Sequence, residues 1–376
     1  MKDIDQILKL WGSTERAGQS AVLATVVKTN GSSYRLPGAR LLLTKTGERA
    51  GSISGGCLED DLVKKAWWLT ENGATIRKYD TTPEGEIGPG FGLGCNGIIY
   101  VLLERLHPNQ PAVLNVIEQV RSSRQPAAIA HCIQPHQAAG ERLTIHVDGC
   151  VNHNIPDATI ADWLARESRT ALWAESSRIV QRQQTEAFIE TLTPAVRLLI
   201  FGAGDDAVPV TGLANFLGWN VSVLDGRAHY VKRDKFPSAN EVVIRRSGDD
   251  AATKIDPWTV AILMTHSYSQ DLDVLRQLAA KPPRYLGILG PRKRSTQLLA
   301  DAGIAPDQLG PALHSPMGLD IGADGPEQVA LAVLAEIQAA LNGREGGPLR
   351  ERRGSIHAPG ESSETSQYWV HSISCA

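Results

Sequence analysis

The feature that most constrains the fold is a glycine-rich turn between an apolar strand and a helix in the second half of the chain. Arg197–Phe201 is a short apolar run that leads into Gly202-Ala203-Gly204-Asp205-Asp206-Ala207. A helical pattern follows, and a second apolar run at residues 220–224 ends at Asp225. Strand, glycine turn, helix, strand and acidic residue follow in the order of a Rossmann βαβ unit. We therefore predict a Rossmann-like domain with a parallel sheet over residues 194–343.

The residues of this turn indicate what it can bind. Gly202 permits a tight turn, and Gly204 lets the backbone approach a phosphate at the start of the helix. Asp225 is placed to bind ribose hydroxyls. A nucleotide in the Rossmann domain is therefore one expectation. Asp205 and Asp206 weaken it, because two carboxylates would repel a pyrophosphate. The structural alternative is that the glycines serve only the chain turn.

His266 is a further candidate in the same crevice. It follows an apolar run at residues 258–264, and in open α/β sheets the carboxyl ends of the strands form the ligand crevice. An imidazole there can donate a hydrogen bond or a proton. With the turn and Asp225, His266 supports an alternative function as a NAD(P)-dependent oxidoreductase. A regulator that senses a nucleotide is a third alternative.

The first half of the chain alternates short apolar runs with helical patterns. Helices are predicted at residues 1–16 and 58–69, and β-rich runs lie between them and after them. This pattern predicts a mixed α/β domain over residues 1–193. Three segments of this domain are unusually rich in glycine, which indicates backbone that approaches a ligand closely or adopts positive φ. These segments are residues 31–40, 51–59 and 92–97.

The second of these segments runs from a strand into a helix. Gly55, Gly56 and Cys57 therefore stand at the helix N-terminus, where free N–H groups and the helix dipole favour an anion and lower the pKa of a thiol. Glu59, in the first turn of the helix, partly cancels that field. The pattern predicts an anion cradle beside a reactive cysteine.

The other two segments add further candidate groups. Ser32 offers a hydroxyl and Arg35 a guanidinium, while Gly94 and Cys95 end a long Gly/Pro-rich loop just before a strand. A zinc site is disfavoured, because Cys57 and Cys95 lack closely spaced Cys or His partners. Buried, unreactive thiols are the structural alternative.

Composition excludes several functional classes. The formal net charge is −3 and no long basic run occurs in the body of the chain, which argues against nucleic-acid binding. No apolar stretch reaches the ~18 residues of a membrane span. Five cysteines without a CxxC pair, and a start without an apolar signal region, lead us to expect reduced thiols in the cytoplasm. Residues 344–376 are nearly free of aliphatic side chains and are predicted to be a disordered tail.

Seven segments of this chain resemble the XdhC/CoxI family. They follow one another from the first glycine-rich loop to the last helix, within a match that covers most of residues 10–341. The family often has His where this chain has Asp205, and a second Gly where it has Asn96. The segments are GSSYRLPGAR, GSISGGCLE, FGLGCNG, IFGAGDDAVP, THSYSQD, YLGILGPRKR and GLDIGADGPEQVALAVLAEI.

The resemblance implies a function that the motifs alone do not define. Members are accessory factors that mature xanthine dehydrogenase, CO dehydrogenase and related molybdenum hydroxylases. They bind the molybdenum cofactor, protect it while a cysteine desulfurase supplies its terminal sulfur, and deliver it to the apo-enzyme. Carried over by position, Cys57 contacts the cofactor and its metal, and Cys95 is its companion. This implies a carrier without turnover rather than an enzyme, and a homodimer is common for such a fold.

Overall fold

The computed structural model describes residues 2–81, 97–110, 113–251 and 254–352. The chain divides into two compact units, with the division between Pro194 and Ala195. This division lies beside the predicted domain boundary. Each unit has sheets and helices of its own, and each is described by itself below.

The first unit contains two five-stranded sheets. In the first sheet, the β1 residues Val22 and Ala24 alternate with Leu23 and Thr25, and all four are buried, so both faces of the sheet are covered. All neighbouring strands are antiparallel. The strands are β1 (Ala21–Gly31), β2 (Arg40–Thr44), β3 (Arg49–Gly51), β4 (Thr75–Asp80) and β5 (Gly97–Leu106), in the order β3-β2-β1-β5-β4.

The second sheet is also antiparallel and packs against the first. Val27 and Leu102 of the first sheet form one apolar cluster with Ile133 and Phe188 of the second. The strands of the second sheet are β6 (Ala127–Gln134), β7 (Arg142–His146), β8 (Val151–His153), β9 (Arg178–Arg182) and β10 (Thr185–Leu192), in the order β8-β7-β6-β10-β9.

Helices cover the outer faces of both sheets. The helices of this unit are α1 (Lys2–Arg16), α2 (Cys57–Leu69), α3 (Val113–Ser123) and α4 (Ala158–Trp173). Leu58, Leu62 and Ala66 recur every fourth residue on α2 and pack on Val22 and Ala24 of β1. On the second sheet, Leu164 of α4 packs in one cluster with Cys132. The α2 contacts fix one helix N-terminus beside the end of β3.

The second unit is a doubly wound α/β domain. Its strands are β11 (Arg197–Phe201), β12 (Asn220–Asp225), β13 (Glu241–Ile244), β14 (Thr259–Leu263), β15 (Tyr285–Ile288) and β16 (Leu313–His314). All pair in parallel, in the order β13-β12-β11-β14-β15-β16. Numbered within the unit, this is the strand order of the Rossmann fold. The predicted fold class, with a mixed α/β domain and a Rossmann-like domain, is confirmed.

Helices lie on both faces of this parallel sheet. They are α5 (Ala207–Phe216), α6 (Tyr268–Ala280), α7 (Arg292–Ala302), α8 (Pro306–Leu309) and α9 (Pro326–Leu341). The apolar clusters on the two faces are separate, one built with α5 and α9 and the other with α6 and α7. The strand order changes direction between β11 and β14, and this is where a ligand crevice forms in such sheets.

The predicted tail falls partly within the described residues. Residues 344–352 include a short 3-10 turn at Leu349–Glu351, and residues 353–376 lie outside the described part of the chain. Among the helices that the structure describes, none combines the length and the apolar character that a membrane crossing requires.

Candidate functional site

The strand ends that border the three glycine-rich segments of the first unit lie at one end of its first sheet. β1 ends at Gly31, β2 begins at Arg40, β3 ends at Gly51 and β5 begins at Gly97. Because neighbouring strands are antiparallel, the end of one lies beside the start of the next, and Gly31 is the register partner of Gly97. Residues 32–39 and 52–56 leave the sheet at this end, and Asp80 of β4 and Gly97 of β5 also lie there.

The turn before α2 is organised around the carboxylate of Glu59. Its Oε1 accepts hydrogen bonds of 2.9 Å from the Ser52 hydroxyl and from the backbone N–H groups of Ile53 and Ser54. Its Oε2 accepts from the Gly56 N–H at 2.9 Å and from the Ser54 hydroxyl. Burial would raise the pKa of Glu59, but these donors outweigh it and lower the pKa to about 2. The turn therefore encloses an anion of its own.

Gly55 and Gly56 have positive φ angles of 91° and 130°. The Gly56 N–H bonds to Glu59, and the Gly55 N–H donates to Ser52 Oγ at 3.2 Å. These N–H groups are not free for a bound anion, in contrast to the predicted cradle. Cys57 begins α2 directly after them, and its side chain lies outside the described residues.

The sequence did contain a signal for the role of Glu59. It stands at the third helical position after the N-cap Gly56, which is the spacing of a capping box, and its carboxylate reaches back to the N-cap N–H. Sequence analysis treated Glu59 only as a charge that weakens the helix field. Its hydrogen bonds instead hold the turn that presents Cys57.

The loop 32–39 places an aromatic ring against this turn. A Cβ built on Gly55 would lie 3.4 Å from the Tyr34 ring, while 64% of Tyr34 is exposed. An exposed ring beside a glycine turn offers a flat surface to a planar ligand. Sequence analysis did not select Tyr34. Of the predicted residues in this loop, Ser32 is exposed, and Arg35 Nη2 donates to Asp3 Oδ2 at 2.7 Å.

The ends of the third segment are tied together beside the same loop. Thr81 donates to Gly97 O from its backbone N–H at 2.9 Å and from its hydroxyl at 2.7 Å. A Cβ on Gly97 would overlap Ser32 O, so glycine is required there. Gly94 and Cys95 lie outside the described residues. Within the described residues, no group of three or more His, Cys, Asp or Glu side chains is arranged to hold a metal ion.

A buried ion pair supports the loop from within the unit. Arg40 Nη1 donates to Gly38 O at 2.9 Å and to Glu190 Oε1 at 2.7 Å, and Nη2 pairs with the other carboxylate oxygen. Burial would raise the pKa of Glu190, but the charge of Arg40 outweighs it and lowers the pKa. Sequence analysis could not find this pair, because its members lie 150 positions apart.

In the second unit, the predicted residues gather at the carboxyl ends of the central strands. Gly202 follows β11 with a φ angle of 133°, and a Cβ there would overlap Met264 O and lie 2.6 Å from its carbonyl carbon. The neighbouring strand end therefore requires this glycine. A Cβ on Gly204 would overlap the carboxylate of Asp206. Both glycines are explained by close contacts within the protein.

Asp225 is a buried carboxylate, and its side chain is 0% exposed. It accepts hydrogen bonds from the Ala203 N–H at 2.9 Å, from the Arg227 N–H at 2.9 Å and from two guanidinium nitrogens of Arg227 at 3.0 and 2.7 Å. Burial alone would raise the pKa of Asp225, but the hydrogen bonds from Arg227 outweigh this effect, so the pKa is lowered. The contact between Asp225 and a ribose remains a prediction. A ribose hydroxyl would have to bind a carboxylate that already accepts these four hydrogen bonds.

His266 lies at the mouth of the crevice in a strained conformation. Its φ angle is +55°, which residues with a β-carbon rarely adopt, and its Nε2 is hydrogen-bonded to Asp206 Oδ2 at 2.7 Å. Asp205 is almost fully exposed and pairs with Lys235 Nζ at 2.8 Å, which lowers the pKa of Asp205. The structure thus brings His266, Gly202, Gly204 and Asp206 to one edge of the sheet.

Comparison with known proteins identifies a family for both units. Residues 14–80 match the XdhC and CoxI family, and residues 198–337 match the XdhC Rossmann domain. The chain is 33% identical to a protein from Bacillus subtilis (strain 168) that is named as a probable xanthine dehydrogenase subunit, over 85% of this chain and 92% of the relative. The chain belongs to the XdhC and CoxI family, as the sequence motifs predict.

Two further proteins resemble most of the chain. Molybdenum cofactor insertion chaperone PaoD from Escherichia coli (strain K12) is 27% identical, over 85% of this chain and 83% of that protein. A crystal structure described as a xanthine dehydrogenase from Bacillus halodurans is 29% identical, with a TM-score of 0.76 over 97% of this chain and 100% of that one. The fold is therefore shared with a protein of known structure.

Proposed function

We propose that this protein is a maturation chaperone for a molybdenum hydroxylase such as xanthine dehydrogenase. In this proposal it binds the molybdenum cofactor, protects it during sulfuration and delivers it to the apo-enzyme. Membership of the XdhC and CoxI family supports a role in maturation. The name of the relative PaoD supports the molybdenum cofactor as the ligand.

The observation that carries the proposal is that the turn before α2 and the two residues that border segment 82–96 lie at the same end of the first sheet. The turn that ends at Gly56 opens α2 at Cys57. Thr81 and Gly97, which border the segment that contains Gly94 and Cys95, are hydrogen-bonded to each other, and Gly97 lies against Ser32. The position of these residues supports a site to which both candidate thiols contribute.

The residues at this end fit a planar, sulfur-rich cofactor in chemical terms. Cys57 would supply a soft thiolate for the metal centre, with Cys95 as its companion. Tyr34, exposed beside Gly55, would stack on the pterin ring. Ser32 and Arg35 would contact its polar edge or its phosphate. When bound, the cofactor supplies the metal centre of the client enzyme, while the protein binds it and shields it.

Glu59 changes how the phosphate is expected to bind. Since Glu59 occupies the N–H groups of the turn, a phosphate placed there would face a carboxylate of lowered pKa. We therefore assign the phosphate to the Arg35 side of the site. Arg35 pairs with Asp3, and both side chains are partly exposed, so the guanidinium remains accessible to a ligand.

The partners and the location follow from the same proposal. A cysteine desulfurase would supply the sulfur, an apo molybdenum hydroxylase of the xanthine dehydrogenase type would receive the cofactor, and the chaperone would act in the cytoplasm as a homodimer. No turnover reaction is assigned to this chain. Neither a nucleic acid nor a membrane is among the proposed partners.

A second candidate function is that of a NAD(P)-dependent oxidoreductase. The pairing of His266 with Asp206 at the edge of a Rossmann-ordered sheet favours it. The burial of Asp225 under Arg227 weighs against it, because ribose hydroxyls normally find an accessible acid at this position. A nucleotide in this crevice, without turnover, is compatible with the chaperone.

The ligand carried by the purified protein distinguishes these proposals. The protein would be isolated from a host that makes the molybdenum cofactor, and the small molecules released on denaturation would be identified by mass spectrometry. We expect molybdopterin or its oxidised derivatives. Release of NAD or NADP alone, with turnover of an alcohol or hydroxy acid, would contradict the chaperone and support the oxidoreductase.

A further inference from the structure

A cleft of about 500 Å³ lies at the opposite end of the first sheet from the glycine-rich segments. It forms where β2 turns toward β3 and where β5 ends, beside the last turns of α2. Its walls include Ser20, Lys45, Trp67, Arg105 and His107. Antiparallel strands place these positions a full strand length from Gly55 and Gly56. The cleft is therefore separate from the proposed cofactor site.

Two cations of the cleft have no acidic partner among the described residues. Several arginines of this unit are paired with a carboxylate, as Arg40 is with Glu190. Within the part of the chain that the structure describes, neither Lys45 nor Arg105 has a carboxylate within ion-pair distance, and no residue that lines the cleft is acidic. Two such charges in one concave surface attract an anion.

Arg105 is held in place but only partly hydrogen-bonded. Its Nη2 donates to Trp67 O at 2.5 Å, and its guanidinium lies 5.1 Å from the centre of the Trp67 ring. Its Nε is buried and has no hydrogen-bond partner in the described structure. Capping the end of α2 uses Nη2, and the buried Nε is out of reach of a ligand, so Nη1 is the nitrogen left to bind one. Phosphate and carboxylate are the groups to which a guanidinium donates its strongest hydrogen bonds.

Ser20 and His107 complete the polar wall of the cleft. His107 Nδ1 is hydrogen-bonded to Ser20 Oγ at 3.2 Å, so the imidazole is oriented beside the cations. One carboxylate stands at the rim, where Glu48 Oε2 accepts from Thr46 Oγ1 at 3.2 Å. The negative charge of Glu48 would repel an anion in the cleft. Removing that charge should therefore strengthen anion binding, whereas removing Lys45 should weaken it.

We propose that this cleft binds a phosphate ester of a planar heterocycle, about the size of a nucleoside monophosphate. Lys45 and Arg105 would bind the phosphate, and the indole of Trp67 would contact the ring. The volume falls within the range of roughly 300–1,000 Å³ for small-molecule sites. This proposal does not depend on the proposed cofactor site, and either can fail without the other.

The test is isothermal titration calorimetry of the full chain with AMP, GMP, CMP and inorganic phosphate. We expect saturable binding of at least one monophosphate, tighter than that of phosphate or of the matching nucleoside. Lys45→Ala should weaken it about tenfold or more. Arg49→Ala should leave it unchanged, since Arg49 lies on the same hairpin, is exposed and pairs with Asp60. Glu48→Gln should tighten it.

Two controls locate the binding and protect against misfolding. Arg105→Lys keeps a cation at the end of α2 and should retain the fold by circular dichroism while weakening binding. Asp206→Asn, in the Rossmann crevice, should have no effect. The proposal is overturned if no monophosphate saturates the protein at ~10 mM, the upper limit of useful affinity. It is equally overturned if Lys45→Ala binds as the wild type does, or if Asp206→Asn abolishes binding.

Discussion

The two glycine-rich turns that open α2 and α5 each lead from a strand into a helix, but different groups fill their interiors. At residues 52–56 the backbone N–H groups converge on the internal carboxylate of Glu59. At residues 202–206 the glycines accommodate a neighbouring strand end at Met264 and the side chain of Asp206. In both turns a protein group occupies the space or the donors that a phosphate would use.

This comparison shows that closely spaced glycines indicate a turn whose backbone lies against another group. They do not indicate whether that group is a ligand or another part of the protein. The groups left for a ligand are those that the turns present outward. At the first turn these are the exposed Tyr34 ring and, by sequence position, Cys57. At the second turn it is the pair of His266 and Asp206. Substitutions at each turn can therefore separate the residues that hold the fold from those that are available to a ligand.

The largest effect is expected at Gly202. Gly202→Ala would force a Cβ into the carbonyl of Met264 at a φ angle of 133°, so we expect the second unit to lose about 4 kcal/mol or more of unfolding free energy. Gly56→Ala faces open space and only an unfavourable φ angle, and should cost about 1–2 kcal/mol. Urea denaturation followed by tryptophan fluorescence measures both. Equal losses would contradict the contrast between the two turns.

Gly212→Ala is the matched control for those substitutions. Gly212 lies within α5, where a Cβ meets nothing within 4 Å. Alanine is the better helix former there, by roughly 0.5–1 kcal/mol. A gain in stability for this variant, in the same helix that follows Gly202, would show that the loss at Gly202 is local to the turn.

The next effect concerns the charge of Glu59. Its pKa of about 2 lies below the ordinary 4.5, so its stabilising contribution is present above pH 4.5 and is lost as the pH falls toward 2. The difference corresponds to roughly 3 kcal/mol. Glu59→Gln should lose most of this at pH 7, and the gap between variant and wild type should close toward pH 2.

Asp60→Asn is the control for Glu59, because Asp60 is the next residue and its side chain is mostly exposed. We expect a change within about 0.5 kcal/mol. The measurement is the unfolding free energy as a function of pH for all three proteins. Parallel pH profiles for wild type and Glu59→Gln would show that the turn is not held by the carboxylate.

A smaller loss is expected from Asp225→Asn in the second unit. The substitution leaves Arg227 beside a neutral amide in a buried site, which should cost on the order of 2 kcal/mol. Since the pKa of Asp225 is lowered by Arg227, the stability that it contributes should decrease in acid. Asp205→Asn should have no measurable effect, because Asp205 is exposed. Similar losses of stability for Asp225→Asn and Asp205→Asn would contradict a structural role that is specific to the buried Asp225.

The smallest effect is expected at His266. His266→Gly relieves the φ angle of 55° but removes the bond to Asp206, so the net change in stability should stay below about 1 kcal/mol. Thermal unfolding monitored by circular dichroism measures it. A loss of unfolding free energy above about 2 kcal/mol would show that the pair of His266 and Asp206 stabilises the fold, and would contradict its role as a ligand-binding group.

Much of the Rossmann unit could be predicted from sequence. Its central strands are continuous apolar runs, as at Arg197–Phe201, and β11, β14 and β15 are each followed by a helix. Pro326 stands at the first helical position of α9, which is a position that proline favours. These signals are local, and local periodicity is what a single sequence reports best.

The second sheet and the interior of the site could not be predicted in the same way. Two of its strands are visible as apolar runs, but the pairing of β6 with β10 joins positions more than fifty residues apart. The pair of Arg40 and Glu190 is more distant still. The role of Glu59 was within reach through its capping-box spacing, but the hydrogen bonds of Ser52 and Ser54 to it depend on a folded turn.

The central claim is that the end of the first sheet holds the molybdenum cofactor through Cys57. The most direct measurement is the molybdopterin content of equal amounts of folded wild type, Cys57→Ser and Cys132→Ser, read by fluorescence after oxidation. Cys132 is the matched control, because it is buried in the second sheet and burial raises its pKa to about 12. The account predicts a sharp loss for Cys57→Ser and wild-type content for Cys132→Ser. Equal content in all three proteins would contradict it.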